Sequence, residues 1–205
     1  MYKVKYNTDD SVIRYKARLV AKGYALKHDI DRYKAQFVSV AKMTIVRVLL
    51  AVATAKGWHL HQLDVKNAFL QGDLENEVHM VQYPGFHSGM NTSAVCRLKK
   101  FLYGLKQAPH AWNAKITQQL CRMGFVTSKS DSSLFIRNGR LGQVTFLLYV
   151  DDLVMIDADL GEIDHVKHQL AASFDMKDLA DLHYFLGIEV IRTPEGILIS
   201  QRHYV

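Results

Sequence analysis

Two adjacent carboxylates interrupt one of the most apolar stretches of the chain. Asp151 and Asp152 stand inside "LLYVDDLVMI" (147–156), between two aliphatic segments that are typical of interior strands. Unpaired aspartates are costly in such an interior, although Asp is also a common turn residue. Because Val150 and Leu153 continue the apolar segments directly, we expect the two acids at a hairpin tip on the edge of a hydrophobic layer.

A third carboxylate, Asp64, has the same setting, since it ends the predicted strand in "HLHQLDVKNAFL" (59–70) and precedes a turn. If the two strands are neighbours in a sheet, Asp64 approaches Asp151, and two charges about 4 Å apart repel by about 4 kcal/mol at an effective dielectric constant of 20. Such a cluster either retains a proton or binds a cation, and carboxylate oxygens suit Mg²⁺. Two ions about 3.5–4 Å apart can activate a hydroxyl and stabilise the leaving oxygen of a phosphoryl transfer.

The alternation of side chains along a strand predicts which of these three acids face one another. Successive strand side chains point to opposite faces, so Asp151 and Asp152 are not expected to face Asp64 equally. We therefore predict Asp64 and Asp151 as the principal pair, and Asp152 as a partial ligand or one that acts through a neighbouring group.

The elements that must position these acids show in the apolar periodicity. Three segments have apolar residues at helical spacing: 44–56, 109–123 and 161–174. Thr44 is the predicted N-cap of the first helix, and Gly57 its stop. The predicted apolar stripes are Ile45, Val48, Leu49 and Val52; Trp112, Ile116, Leu120 and Met123; and Ile163, Val166, Leu170 and Phe174.

The remaining apolar segments read as strands joined by short turns. "SLFIR" and "QVTFLLYV" flank the "NGRLG" turn, "DLVMID" is the return arm after Asp151, and a final hairpin is expected around "TPEG". The order of elements predicts an α+β fold, with a ferredoxin-like antiparallel sheet and helices on one face of it. Residues 1–43 and the polar insertion at 72–93 would form a second, more basic subdomain.

Composition favours a polyanionic partner. The 205 residues carry a formal charge of +6 with pI about 9.2, which does not by itself separate nucleic acid from an acidic membrane surface. Two cysteines are too few for a disulfide framework, and no apolar run approaches the roughly 20 residues of a membrane span. With no apolar leader at the start, we expect an intracellular protein that is not secreted. In "WHLHQ" (58–62), polar and apolar residues alternate as in a strand, which places His59 and His61 on one face. Because no third ligand stands at a recognisable spacing, two surface histidines are favoured over a metal site.

At this point the residues resemble a family. "YVDD" (149–152), "LDVKNAFLQGDL" (63–74) and "LYGLKQAPHAW" (102–112) look like the reverse transcriptase of copia-type LTR retrotransposons. The likeness extends in order through "YKARLVAKGY", "SKSDSSLFIR", "FDMKDLADLHYFLGIEV" and "ISQRHYV". It implies an RNA- and DNA-templated DNA polymerase within a Pol polyprotein, with fingers at about 1–43 and 72–106, a palm at about 44–71 and 107–190, and a final hairpin at 191–205.

The resemblance also implies roles at the acidic cluster. Asp64, Asp151 and Asp152 match the catalytic carboxylates, and the carbonyl of Val65 matches an additional metal contact. The implied cofactor is a pair of Mg²⁺ ions, with Mn²⁺ as an alternative. Phe69 matches the aromatic residue under the incoming sugar that excludes a ribose 2′-hydroxyl, although its spacing alone favours a core aromatic.

Further roles are implied at basic and glycine-containing segments, and each has a plainer alternative. Gly104 and Gln107 match the nucleotide-pocket loop, or form a simple strand-to-helix turn. The "YKARLVAK" strand matches a basic strand that contacts the triphosphate, or is a solvated edge. Lys177 matches a basic residue near the leaving pyrophosphate, or lies on the surface. The "YFLGIEV" segment with Leu186 and Gly187 matches the primer grip, or Gly187 marks a bulge. The three cations of the basic strand are Lys16, Arg18 and Lys22.

The implied partners are an RNA or DNA template with its primer, and dNTPs, in a cytoplasmic virus-like particle or the nucleus. Three positions depart from the family pattern: His110 replaces arginine, Val40 replaces proline, and "VQYPGF" has one proline where two are usual. The thumb and ribonuclease H domain, which the same polyprotein normally supplies, are expected to be missing. The alternatives are therefore a truncated, inactive remnant that binds nucleic acid, and an unrelated magnesium phosphohydrolase.

Overall fold

The computed structural model describes residues 2–6, 11–21, 41–74, 77–83 and 95–201. By their internal contacts, the described parts of Met1–Phe37 and Phe69–Lys115 form one unit, here called unit 1, and those of Val38–Ala68 and Ile116–Val205 form unit 2. The names fingers and palm, with their boundaries, stay predictions for these regions.

Four helices and thirteen strands are present within the described ranges. The helices are α1 (Met43–Lys56), α2 (Ala68–Gln71), α3 (Ala108–Arg122) and α4 (Leu160–Ala171). The strands are β1 (Tyr2–Tyr6), β2 (Val12–Ala17), β3 (His59–Val65), β4 (His79–Val81), β5 (Val95–Arg97), β6 (Val126–Thr127), β7 (Leu134–Asn138), β8 (Gln143–Tyr149), β9 (Asp152–Asp157), β10 (Met176–Asp181), β11 (Tyr184–Phe185), β12 (Ile188–Thr193) and β13 (Gly196–Ser200).

The main sheet of unit 2 has six antiparallel strands in the order β10-β3-β9-β8-β7-β6. Strands β7 and β8 flank the predicted "NGRLG" turn, and β8 and β9 form the predicted hairpin whose tip carries the paired acids. Strand β3 pairs directly with β9. The strand that leads into Asp151, β8, is not itself a neighbour of β3, because β9, the return arm that begins at Asp152, lies between them. The expected neighbouring of the two strands therefore holds only for the return arm of the hairpin.

Helix α1 ends as predicted, but its buried side is different. Gly57 has φ 64°, a left-handed conformation that glycine adopts without a Cβ penalty, and it ends the helix. The N-cap is Lys42 rather than Thr44. The predicted stripe was wrong, since Val48 and Val52 are 51% and 37% exposed. The segment is apolar almost all round, so spacing alone does not select one face. The buried residues are Val46, Leu50 and Ala53.

Helices α3 and α4 follow their predicted stripes. Trp112, Ile116 and Leu120 are buried, and Gly124, with φ 86°, follows the end of α3. In α4 the side chain of Asp159 accepts a hydrogen bond from the Gly161 N–H and caps the helix. Its buried side comprises Ile163, Val166 and Leu170, with Phe174 just beyond the helix.

Both faces of the main sheet are covered. We define the front face by Leu60, Gln62 and Asp64 of β3, and the back face by the alternate residues of that strand. Leu60 belongs to the core cluster that contains Val46, Leu50 and Ala53 of α1, so α1 packs on the front face. On the back face, Lys167 of α4 contacts His61 Nδ1 at 2.8 Å and donates to Asp178 at 2.9 Å.

The prediction of helices on one face was therefore wrong. Strands β8 and β9 carry five consecutive buried residues each, at 144–148 and 153–157, and a strand buried at every position needs cover on both sides.

The expectation of two surface histidines was also wrong, because His59 and His61 are both half-buried.

A second sheet in unit 2 has the order β11-β12-β13. Its β12–β13 hairpin corresponds to the predicted final hairpin, and residues 202–205 lie outside the described ranges. Phe185, Ile188 and Val190 of this sheet join the core cluster of α1. The small sheet is thus anchored beside the front face of the main sheet.

Unit 1 contains two two-stranded ladders and a loop-built core. Strand β1 pairs with β2, and β4 pairs with β5. Val20 and Tyr103 form a single parallel bridge between segments that lie far apart in the chain. The core cluster of this unit comprises Ala21, Phe101, Leu102, Leu105 and Ala108.

Candidate active site

A row of polar side chains crosses the front face of the main sheet. Asp64 on β3 lies opposite Asp152 on β9 and opposite Lys177 on β10, and Asp152 in turn lies opposite Tyr149 on β8. Directly opposed residues of antiparallel strands place their side chains on the same face, with Cα atoms about 4.5–5.5 Å apart. The register therefore sets the carboxylates of Asp64 and Asp152 side by side, and we call these two residues the acidic row. An exposed lysine lies on their β10 side.

The tip of the β8–β9 hairpin is a two-residue turn made by Val150 and Asp151. Val150 has φ 54°, which is a rare conformation for a β-branched residue. The Val65 N–H donates a hydrogen bond to the Asp151 carbonyl at 2.8 Å, so the end of β3 holds the tip of the hairpin. The backbone of Asp151 is thereby fixed next to Asp64 and Val65.

Asp152 lies in an environment that disfavours its charge. Burial, the neighbouring Asp151 charge and the Asp64 charge raise the pKa of Asp152 to about 6, and a hydrogen bond from Gln62 partly opposes them. That bond runs from Gln62 Nε2 to Asp152 Oδ1 over 3.3 Å. Like charges are therefore concentrated at this point of the sheet, as in sites that retain a proton or bind a cation.

The donor chemistry fits a hard divalent cation, since the carboxylates of Asp64 and Asp152 and the hairpin tip at Asp151 supply carboxylate and carbonyl oxygens. The side chains do not form a ready-made cage. Across residues 2–6, 11–21, 41–74, 77–83 and 95–201, no three His, Cys, Asp or Glu side chains are grouped so that they could hold one ion together. Metal roles for Asp64, Val65, Asp151 and Asp152 stay predictions, as does the principal pairing of Asp64 with Asp151.

A cavity of about 540 Å³ opens beside Asp152. It connects the acidic row with the turn between β11 and β12, where Leu186 and Gly187 have φ 52° and 80°. Two successive positive φ angles are the signature of a tight hairpin turn, so Gly187 belongs to a turn rather than to a bulge. The cavity is lined by Gln62, Asp152, Leu179, Asp181, His183, Tyr184, Leu186 and Gly187.

Unusual backbone conformations concentrate around the same region. Within the described ranges, the non-glycine residues with positive φ are Asn67, Val150, Ala180 and Leu186. Val150 precedes Asp151, Ala180 lies between two cavity-lining residues, and Leu186 itself lines the cavity. Such conformations cost about 1–3 kcal/mol each and cluster at functional sites, where the surrounding structure maintains them.

In unit 1, two of the residues implied in nucleotide binding, Phe69 and Arg18, meet at Tyr103. The rings of Phe69 and Tyr103 have centroids 4.7 Å apart at an interplanar angle of 55°. The Arg18 guanidinium lies over the ring of Tyr103, 5.3 Å from its centroid. We call Arg18, Tyr103 and Phe69 the aromatic stack.

Gly104 allows close backbone approach, but to another part of its own unit. The Ala21 N–H donates to the Tyr103 carbonyl at 2.7 Å. A Cβ on Gly104, which has φ 91°, would lie 2.1 Å from the Ala21 carbonyl oxygen. Gln107 is half-buried, and its backbone carbonyl accepts a hydrogen bond from the Ala111 N–H in the first turn of α3. Lys22 and the side chain of Lys16 lie outside the described part of the chain.

Two residues of these sites were missed by the sequence reasoning. Gln62 had a recognisable signal, because it is a polar residue between Leu60 and Asp64 on one face of an otherwise apolar strand. Tyr103 lies in the quoted "LYGLKQAP" motif, but nothing in its spacing indicates contact with Arg18 or Phe69. The roles predicted for Phe69, Arg18, Gly104, Gln107, Lys177, Leu186 and Gly187 stay predictions.

Comparison with known proteins agrees with the motifs. The model of the family described as "Reverse transcriptase (RNA-dependent DNA polymerase)" matches residues 1–205. The chain therefore belongs to the reverse transcriptase family. The resemblance to copia-type elements is confirmed by the relatives given next.

The chain is 47% identical over 200 residues to the retrovirus-related Pol polyprotein from transposon RE2 of Arabidopsis thaliana, covering 98% of this chain and 14% of that protein. It is 47% identical over 201 residues to the corresponding polyprotein from transposon RE1 of the same plant, with the same coverage. It is 39% identical over 208 residues to that from transposon TNT 1-94 of Nicotiana tabacum, covering 100% of this chain and 16% of that protein.

The chain thus spans about one seventh of the length of these relatives. None of the helices in the described ranges is both long and apolar enough to cross a lipid bilayer.

Proposed function

We propose that this domain carries out DNA synthesis on an RNA or DNA template. In the proposed reaction the primer 3′-hydroxyl attacks the α-phosphorus of a dNTP, the bond to the bridging oxygen breaks, and pyrophosphate leaves. The observation that carries the proposal is the register of β3 against β9, which sets Asp64 opposite Asp152 while Val65 binds the backbone of Asp151.

The carboxylates of Asp64, Asp151 and Asp152, with the carbonyl of Val65, would hold two Mg²⁺ ions, or Mn²⁺ in their place. When bound, such ions activate the attacking hydroxyl and stabilise the leaving oxygen. The chain's own contribution is a rigid donor set, since two of the acids lie on paired strands and the third lies on a turn held by Val65. Burial raises the pKa of Asp152, and the charges of Asp151 and Asp64 raise it further. A divalent cation would relieve the repulsion between these charges.

The other residues would position the substrates. Leu186 and Gly187 line the cavity beside Asp152 and would contact the primer terminus. Lys177, exposed and opposite Asp64, would stabilise charge on the leaving pyrophosphate. The aromatic stack, with Phe69 against the sugar and Arg18 towards the phosphates, would select a deoxyribonucleotide. Gly104, Gln107, Lys16 and Lys22 are assigned to the same nucleotide contacts, and the net charge of +6 suits template and primer phosphates.

Primer extension tests the proposal directly. We expect wild-type protein to add dNTPs to a primed template in Mg²⁺, and to add none in EDTA. Asp151→Asn should lower the rate by about a hundredfold or more, because stabilisation by a bound metal contributes several kcal/mol to the transition state. The matched control is Asp164→Asn on α4, whose side chain is 67% exposed, and it should extend primers at the wild-type rate.

Three other results would contradict the proposal. Equal incorporation by the wild type and Asp151→Asn would exclude catalysis by this carboxylate. Duplex binding without incorporation would indicate a nucleic-acid-binding remnant. Release of inorganic phosphate rather than pyrophosphate would indicate a phosphohydrolase.

A further inference from the structure

Gln62 is a buried polar residue for which none of the motifs accounts. Its side chain is on the front face of β3, between Leu60, which is completely buried, and Asp64. Gln62 itself is 7% exposed. A buried amide without a hydrogen-bond partner costs about 1–3 kcal/mol, so the partner of Gln62 indicates why a polar residue lies at this position.

That partner is Asp152. The Gln62 amide donates to Asp152 Oδ1 at 3.3 Å, diagonally across the β3–β9 ladder. Asp152 can therefore keep one oxygen bonded to the sheet while its second oxygen is left for a ligand. A neutral amide suits this place because it orients a carboxylate without adding a fourth negative charge beside Asp64, Asp151 and Asp152.

The strand on the other side of Gln62 is irregular at this point. The ladder between β10 and β3 shifts between Asp178 and Asp181, so Leu179 and Ala180 together lie opposite Gln62. Ala180 has φ 60°, and its N–H is bound by the Asp178 side chain at 2.8 Å. Such an irregularity interrupts the ladder and bends its strand. The cavity lies beside it, with both Gln62 and Asp152 in its wall together with Leu179 and Asp181. Gln62 thus lines the cavity together with the acid that it contacts.

We infer that Gln62 is a positioning residue for the reaction: it holds the Asp152 carboxylate in the orientation that binds divalent metal. The inference deepens the proposed function and rests on it. Groups that orient metal ligands typically change metal affinity or activity by about 10–100-fold when they are removed.

The test is a Mg²⁺ titration followed by thermal unfolding, which does not require catalytic turnover. We expect Mg²⁺ to raise the unfolding temperature of the wild type, and Gln62→Leu to need about 10–100-fold more Mg²⁺ for half of the rise. Gln62→Asn, whose amide is one methylene shorter, should behave like Gln62→Leu while keeping the position polar. Thr145→Val is the matched control, since Thr145 is also buried and polar on the front face but lies on β8 opposite Ile156. It should leave the Mg²⁺ requirement unchanged.

The outcomes separate this inference from the proposed function. If the wild type does not respond to Mg²⁺, the proposed metal site is wrong. If the wild type responds, and both Gln62 variants titrate with the same midpoint as Thr145→Val, Gln62 has only a structural role and the inference is overturned, even where the variants unfold at a lower temperature. In primer extension, the inference further expects kcat to fall while KM for the dNTP is unchanged.

Discussion

The acidic row of unit 2 and the aromatic stack of unit 1 are held in place by different means. Asp64 and Asp152 are positioned by regular strand pairing, and each strand is fixed along its length by the ladder. Arg18, Tyr103 and Phe69 come from three separate segments. The segments of Arg18 and Tyr103 meet through one bridge and the close approach of Gly104 to Ala21, and Phe69 joins them through a ring contact. Regular pairing distributes the constraint over many bonds, whereas the stack depends on a few. The stack should therefore be the more sensitive of the two to a single substitution in its support.

Gly104→Ala tests this sensitivity and should have the largest effect on stability. The added methyl group would lie 2.1 Å from the Ala21 carbonyl oxygen at a φ of 91°. We expect a loss of about 3 kcal/mol or more in the free energy of unfolding, measured with urea. Gly57→Ala is the matched control, because Gly57 has φ 64° but nothing within 4 Å of an added Cβ. That variant should lose only about 1–2 kcal/mol. Equal losses would show that close backbone approach at Gly104 contributes nothing.

The next prediction concerns sugar selection by the stack. If Phe69 excludes the 2′-hydroxyl, Phe69→Ala should raise incorporation of ribonucleotides relative to deoxyribonucleotides by about 10–200-fold. Tyr103→Leu should raise it by roughly tenfold or less, because an aromatic pair contributes about 0.5–1.5 kcal/mol. Tyr103→Phe keeps the ring and should resemble the wild type.

A double variant sharpens that experiment. If Tyr103 acts by holding Phe69, Tyr103→Leu should change the ratio no further in a protein that already carries Phe69→Ala. Additive effects would mean that Tyr103 acts separately from Phe69. No change of the ratio in Phe69→Ala would remove the sugar-selection role altogether.

The smallest predicted effect is a pH dependence at the acidic row. The folded-state pKa of Asp152, about 6, lies above its ordinary value of 3.8, so protonation favours the folded protein. This stabilisation is present below pH 4 and is lost as the pH rises through 6. Asn at this position stays neutral and can still accept from Gln62. In EDTA, Asp152→Asn should therefore match the wild type near pH 4 and be more stable above pH 6.

The difference should be about 1 kcal/mol, after discounting for solvent screening of a partly exposed group, or about 2–4 °C in Tm. Asp164→Asn again serves as the control, and its Tm should follow the wild type at every pH. A less stable Asp152→Asn protein at pH 7 in EDTA would show that the wild-type carboxylate is not destabilised by its neighbours.

The contrast between regular strand pairing and contacts between loops also explains which features the sequence could predict. Asp64 ends an apolar strand and Asp151 lies at the turn of an apolar hairpin, and strand period and turn position are local properties, so these two settings were predictable. The buried side of α1 was not, because Val46 and Val48 are equally apolar and only packing selects between them. The unbroken apolar runs of β8 and β9 do signal that both faces of the sheet are covered. The contact of Tyr103 with Arg18 depends on two loops that meet without any period, so no local pattern encodes it.

The hydrogen bond between the Val65 N–H and the Asp151 carbonyl continues strand pairing up to the hairpin tip. Losing or gaining one residue between Leu60 and Asp64 would leave apolar side chains to fill the sheet, yet would turn Asp64 to the opposite surface. Related genes should accordingly tolerate many replacements along β3 but hardly any change in its length. A copy with such an indel would encode a folded protein without polymerase chemistry.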